Sequence, residues 1–215
     1  MEKKTMMIIG AVVAIIVIVV AAFAFMGGSK DSDPTHLTVA AHSNIKEPES
    51  GFNPLTGWGC GHQNYNPLVQ SCLFKTDKNG TIVPDLATGY SISSDGKTWT
   101  VNLRNDVKFS DNSTFNAKDV ETTFNTAKKT ETDLDLTNLA NVTAKNDTCV
   151  EFNLVEPRST FIYDLRYVGI VPSDSYNNET YGSEPIGTGP YVLDHWDKGQ
   201  QAIFKINDNY YGKKP

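Results

Sequence analysis

The chain is poor in cysteine. Cys60, Cys72 and Cys149 are all it carries in 215 residues. Three thiols make no disulfide framework, and their spacing fits no structural zinc site. Cys60 and Cys72 are placed to bridge across a short loop in an oxidising compartment, and all three read equally well as buried free thiols. Positive charge is also scarce. Nineteen Lys and Arg against 25 Asp and Glu leave a net charge of -6. The lysines are scattered, so nothing in the field of the molecule draws it to nucleic acid. There is no H-E-x-x-H, no G-x-S-x-G and no Cys-His pair on one helix, and nothing fixes two carboxylates at a catalytic separation. The chain therefore does not read as an enzyme. Neither G-x-G-x-x-G nor G-x-x-x-x-G-K occurs, so no phosphate loop, ATP site or cofactor is expected. Internal repeats and low-complexity tracts are absent too.

Met6 to Met26 is an unbroken apolar run of 21 residues without charge or polar side chain. At about 1.5 Å per residue it crosses a hydrocarbon core of about 30 Å. Lys3 and Lys4 precede it, and basic residues stay on the cytoplasmic side, so the body should face outward. The sequence divides into a cytoplasmic tail (residues 1–5), a transmembrane anchor or a signal segment (6–28), and a polar linker (29–35). A cleaved signal peptide has a shorter apolar core, of about 7 to 15 residues; both readings export the body. No cysteine follows the run to take a lipid. Five N-x-S/T sequons, at Asn79, Asn112, Asn141, Asn146 and Asn178, permit a glycosylated surface protein.

Beyond the linker, His36 to Ala41 reads as a strand and Ser43 to Gly59 as a loop. Asn64 to Cys72 is expected as a short helix on the spacing of Leu68, Val69 and Cys72. Tyr90 and Ile92, then Trp99, Val101 and Leu103, alternate with polar residues about Ser94-Asp95-Gly96-Lys97, which predicts a β-hairpin. Asn116 caps a helix whose Val120, Phe124 and Ala127 share one face, with Asp119 at its positive end. Asp133 to Leu139 is expected to add a further helical turn. Two strands, Val142–Lys145 and Cys149–Leu154, join at Asn146-Asp147. Ser159 to Arg166 reads as a helix with Phe161, Ile162 and Leu165 on one side. Strands are also expected at Tyr191–Leu193 and Ala202–Ile206. Helices among paired strands without a βαβ rhythm indicate an α+β fold.

Three stretches carry a resemblance. Asp85 to Ser110, read DLATGYSISSDGKTWTVNLRNDVKFS, continues into Phe115-Asn116-Ala117-Lys118-Asp119-Val120. Pro185 to Tyr191 reads PIGTGPY, and Asn207 to Pro215 reads NDNYYGKKP. In this order they resemble the family 5 extracytoplasmic solute-binding proteins, the oligopeptide-, dipeptide- and nickel-binding components of ABC importers. Asn112 stands where that family has Gly in an S-D-G turn, a substitution the geometry tolerates.

The resemblance implies the first lobe of a type II periplasmic-binding-protein-like fold, dipeptide-binding-protein-like, preceded by one transmembrane helix. Residues 36–50 and 168–215 would form part of that lobe and 51–167 an inserted subdomain. Family chains are longer and close their ligand between two lobes. This sequence stops where the second would begin, so one wall of a pocket, and weak binding or none by this stretch alone, are expected of it. The implied partners are a small peptide or a metal chelate, ABC permease subunits and the membrane. The implied location is the cell membrane, single-pass, with the body extracytoplasmic. A surface sensor or adhesin, or a non-functional gene fragment, is the alternative.

The implied ligand contacts begin in the loop Gly51 to His62, where the resembled family borders its cleft. Trp58 there stacks on a ligand or packs the loop down. His62, with Cys60 nearby, and Tyr65 complete the candidates on this stretch, and two ligands so close make no metal site by themselves. Arg166 lies where nickel-chelate binders carry an Arg that grips a carboxylate with both arms, or else it is a solvated surface Arg. Those relatives also have an Arg and a Trp just before the position of Asp133, where this chain reads Lys128-Lys129-Thr130-Glu131-Thr132.

Overall fold

A computed structural model describes residues 36–38 (as backbone), 51–56, 68–130 and 135–214. The apolar run Met6–Met26, Cys60 and the candidate ligand contacts Trp58, His62 and Tyr65 lie outside the described residues.

The core begins with the hairpin that alternation predicts. Strands β4 (Ala87–Ile92) and β5 (Thr98–Leu103) pair antiparallel. Gly96 takes φ +72 in the turn between them, a conformation that costs Gly nothing. Trp99, Val101 and Leu103 all point inward and are buried. The second predicted pair, β6 (Leu139–Asn146) and β7 (Cys149–Leu154), adds to the same sheet through β7. The strand order is β4-β5-β7-β6. Trp99 faces Phe152 and Val101 faces Val150 in register, so two apolar rows meet across the ladder.

Helix α1 (Ala117–Ala127) covers this sheet. It starts at Asn116 because two of its orphan amides find partners there. Asn116 Oδ1 accepts from Lys118 N at 2.7 Å, and Asp119 Oδ2 accepts from Asn116 N at 2.8 Å, a reciprocal cap. Val120, Phe124 and Ala127 are buried as one stripe. Phe124 meets Phe152 edge to face at 4.9 Å between centroids. Asn125 fixes the helix to β6, donating to Val142 O and accepting from Val142 N.

A short hairpin of β2 (Phe74–Thr76) and β3 (Ile82–Pro84) precedes the sheet. The last sheet brings together distant parts of the chain. β8 (Tyr191–Asp197) pairs with β9 (Gln201–Ile206), and β1 (His36–Thr38) lies along the other side of β9 with His36 opposite Lys205. Both late strands run beyond their expected limits. Phe52, Val69 and Phe204 form a small separate core beneath this sheet.

Two expected helical stretches are not helical over their described residues. Leu68–Cys72, the described part of the first, is irregular, with bends at residues 68–70. Its carbonyls are taken by distant amides: Val69 O by Gly189 N, Ser71 O by Ile170 N and Cys72 O by Leu86 N. Long-range pairing has displaced the local i to i-4 bonds. In the second, residues 135–138 form a turn and Leu139 opens β6. Asp135 Oδ1 accepts from both Thr137 N and Thr137 Oγ1, a local bond that competes with helix. The Ser159–Arg166 helix is shorter than expected, a 3-10 turn (Ser159–Phe161) followed by the single turn α2 (Ile162–Leu165). Cys72 is disulfide-bonded and Cys149 is a free thiol, so the two do not behave alike.

Candidate functional site

Arg166 is the sequence-selected candidate that the structure describes in full. It caps the C-terminal end of α2, and the segment leading to it is firmly held. Pro157 packs over Gly96 of the β4–β5 turn. Phe161 is buried between Trp99 and Phe152, at 5.6 and 5.5 Å between ring centroids. Leu165 is fully buried. Arg158 reaches forward across the turn and grips Asp164 with two nitrogens, at 2.8 and 3.3 Å. The turn therefore rests on the core of the four-stranded sheet and has little freedom to rotate.

On this platform Arg166 Nη1 donates to Thr76 Oγ1 of β2 at 3.0 Å. Its guanidinium carbon lies 5.5 Å from the centroid of Tyr163, a cation–π distance. Tyr163 is 53% exposed. Arg166 is thus a half-buried guanidinium oriented by a hydroxyl and a ring, not a side chain free in solvent. A planar fork held this way is suited to a carboxylate, because little rotamer freedom is left to lose on binding. Sequence reasoning missed Thr76, which lies 90 residues away. Tyr163 is three residues before Arg166, and helical i to i+3 spacing would have found it.

A second polar cluster lies where the DLATGY and NYYG stretches meet. Asp85 is buried and ion-paired to Lys75 at 2.9 Å. Tyr211 donates its hydroxyl to Asp85 Oδ1 at 2.7 Å and lies 3.0 Å from Ser71 Oγ. Burial, with the Asp85 charge beside it, pushes the Tyr211 phenol far up, so it stays protonated and donating. Arg104 sits 4.9 Å over the Tyr211 ring while binding Asp106 through Nε and Nη2 at 2.9 and 2.6 Å. Those donors are committed to Asp106, so Arg104 and Asp106 make the ion pair that their spacing suggests. This cluster fastens the residue-210 region to the start of the sheet.

The PIGTGPY stretch serves the same end. A Cβ on Gly187 would lie 1.9 Å from Val69 O, and one on Gly189 2.5 Å from Leu68 O. Asn112 adopts φ +73, the turn geometry expected where the resembled family has Gly. Its Oδ1 accepts from Asn209 Nδ2, which also donates to Phe109 O. Among the described residues, no group of three or more His, Cys, Asp or Glu could hold a metal ion. Nor is any described helix long and apolar enough to cross a membrane.

Comparison with known proteins places these features. Residues 81–215 match the family model described as bacterial extracellular solute-binding proteins, family 5 Middle. The nickel-binding periplasmic protein of Escherichia coli K12 is 35% identical over 161 residues, 70% of this chain and 30% of that protein. The glutathione-binding protein GsiB of the same strain is 37% identical over 134 residues, 59% of this chain and 26% of its own length. Among solved structures, NikZ of Campylobacter jejuni, in complex with Ni(L-His), superposes with a TM-score of 0.66 at 27% identity. That match covers 79% of this chain and 36% of NikZ. The chain thus spans about a third of the length of such relatives. Its α+β fold is that of the solved relative over the matched residues. The chain belongs to the family 5 bacterial extracellular solute-binding proteins.

Proposed function

We propose that this chain is solute-capturing sequence of an ABC importer, acting outside the cytoplasmic membrane on small peptides or nickel-type metal chelates. The observation that carries the reading is the family match over residues 81–215. The solute class is supported by the names of the relatives, which bind nickel and glutathione, itself a short peptide. Glutathione and the histidine of a nickel–histidine chelate both present carboxylates, and Arg166, oriented by Thr76 and Tyr163, is the group to receive one. Trp58, His62 and Tyr65 join it as ligand contacts. Capture proceeds by closure of lobes around the solute, which favours the closed form, followed by docking on permease subunits. The chain binds and does not catalyse. Residues 6–28 either anchor the body as a single-pass protein or act as a cleaved export signal, and the body is extracytoplasmic in both cases. Residues 36–50 and 168–215 belong to the first lobe with 51–167 inserted, a division supported by the pairing of β1 with β9.

The test is calorimetry on the protein as the cell exports it, titrated with nickel–histidine and with a dipeptide mixture. One of the two is expected to bind saturably. Arg166→Ala should weaken that binding by about ten- to a hundredfold, the loss of a charge-assisted hydrogen-bond pair, with unchanged thermal stability. Absence of saturable heat with both solutes overturns the reading. Undiminished binding by the variant removes Arg166 from the site.

A further inference from the structure

The five sequons share one structural property, and four of them a second. All five asparagines are exposed, as are the threonines that complete them, Thr81, Thr114, Thr143, Thr148 and Thr180. Four of them also use their amides differently from many other asparagines. Among the described residues, Asn53, Asn125, Asn138, Asn153, Asn207 and Asn209 donate through Nδ2 into the fold. At Asn112, Asn141, Asn146 and Asn178 the amide oxygen accepts instead. Asn79 donates only over a long 3.4 Å reach to Asp77. Nδ2 is the atom that bears sugar in an asparagine-linked glycan. A side chain that works through its oxygen keeps its hydrogen bonds when the nitrogen is substituted.

Asn146 meets these conditions best. It closes the β6–β7 hairpin, and both Thr148 N, at 2.9 Å, and Thr148 Oγ1, at 3.3 Å, turn toward its Oδ1. The hydroxyl and the amide of this sequon therefore already face each other. Asn141 lies within β6 beside buried Val142, and Asn178 is braced by Tyr176 and Asn53. Asn112 is tied to Asn209. The Asn146 turn also lies at the opposite end of β7 from the segment that carries Arg166, so sugar there leaves the Arg166 face open.

We propose that Asn146 carries an asparagine-linked glycan. The proposal rests on the reading that the body is exported. Nδ2 attacks the anomeric carbon of a sugar activated as a lipid-linked glycosyl phosphate. A C–N bond forms as the C–O bond to phosphate breaks. The phosphate leaves with the electron pair, and one amide proton passes to base. No oxidant or reductant takes part.

The test is peptide mass spectrometry on the protein purified from its own host, with protease applied in parallel to intact cells. A peptide containing Asn146 is expected to be heavier by whole sugar residues. That added mass should vanish in Thr148→Ala, which keeps the asparagine, and in Asn146→Gln. A bare Asn146 peptide from a body that external protease digests overturns the glycan and leaves export standing. A bare peptide from a body shielded from that protease overturns both. Sugar found at other sequons while Asn146 stays bare also overturns the proposal.

Discussion

Asp164 is pulled in opposite directions by its surroundings. Burial is the larger influence and raises its pKa to about 6, the positive charge of Arg158 lowers it, and Asp135 adds to the rise. An unfolded Asp titrates near 3.9. The folded state therefore holds this proton more tightly between about pH 4 and 6, and stability from this group declines as pH rises through that window. Urea midpoints at pH 4, 5 and 6 should show a decline in the wild type that is smaller in Asp164→Asn; equal slopes would refute the assignment. Exposed Asp95 and Asp106, lowered by hydrogen bonds from Ser93 and Arg104 respectively, act with the opposite sign below that window. Gly187→Ala should be destabilising by about 1–3 kcal/mol, because its Cβ would meet the backbone oxygen of Val69; a denaturation midpoint like the wild type's would contradict this. That Gly187 and Gly189 serve close approach was readable from their motif, but the identity of the backbone they meet was not. The Arg104–Asp106 pair is local, its members two residues apart. The Arg166–Thr76 bond was not readable, because no spacing relates residues 90 positions distant.

Elements whose reasons are local were the legible ones. The β4–β5 hairpin rests on strict alternation and a Gly at the turn, and α1 on a reciprocal cap and an apolar stripe. Trp99 joins the two levels, facing Phe152 across the ladder and touching Phe161. Trp99→Ala should cost about 3–5 kcal/mol, read as a lowered thermal midpoint. Solute affinity should fall with it, since Phe161 anchors the turn beneath Arg166. A loss of stability with unchanged affinity would separate that turn from the site. Residues 68–72 misled for a physical reason. Their helical spacing of Leu68, Val69 and Cys72 is real, yet amides from residues 86, 170 and 189 take their carbonyls. Tertiary hydrogen bonding overrode a weak local preference.

At the scale of the whole molecule, the family and the α+β class were legible because three motifs keep their order. The closure of the last sheet was not, since it depends on partners from opposite ends of the sequence. His36 of β1 finds its partner at Lys205 of β9. That pairing imposes an order in time. A chain passed through a membrane residue by residue brings out its first strand long before the residues that complete the ladder. Until β9 follows, β1 has no edge to join, and non-local pairing of this kind folds slowly. The last sheet should consequently be the last part of the chain to close, after the four-stranded sheet that does not depend on it.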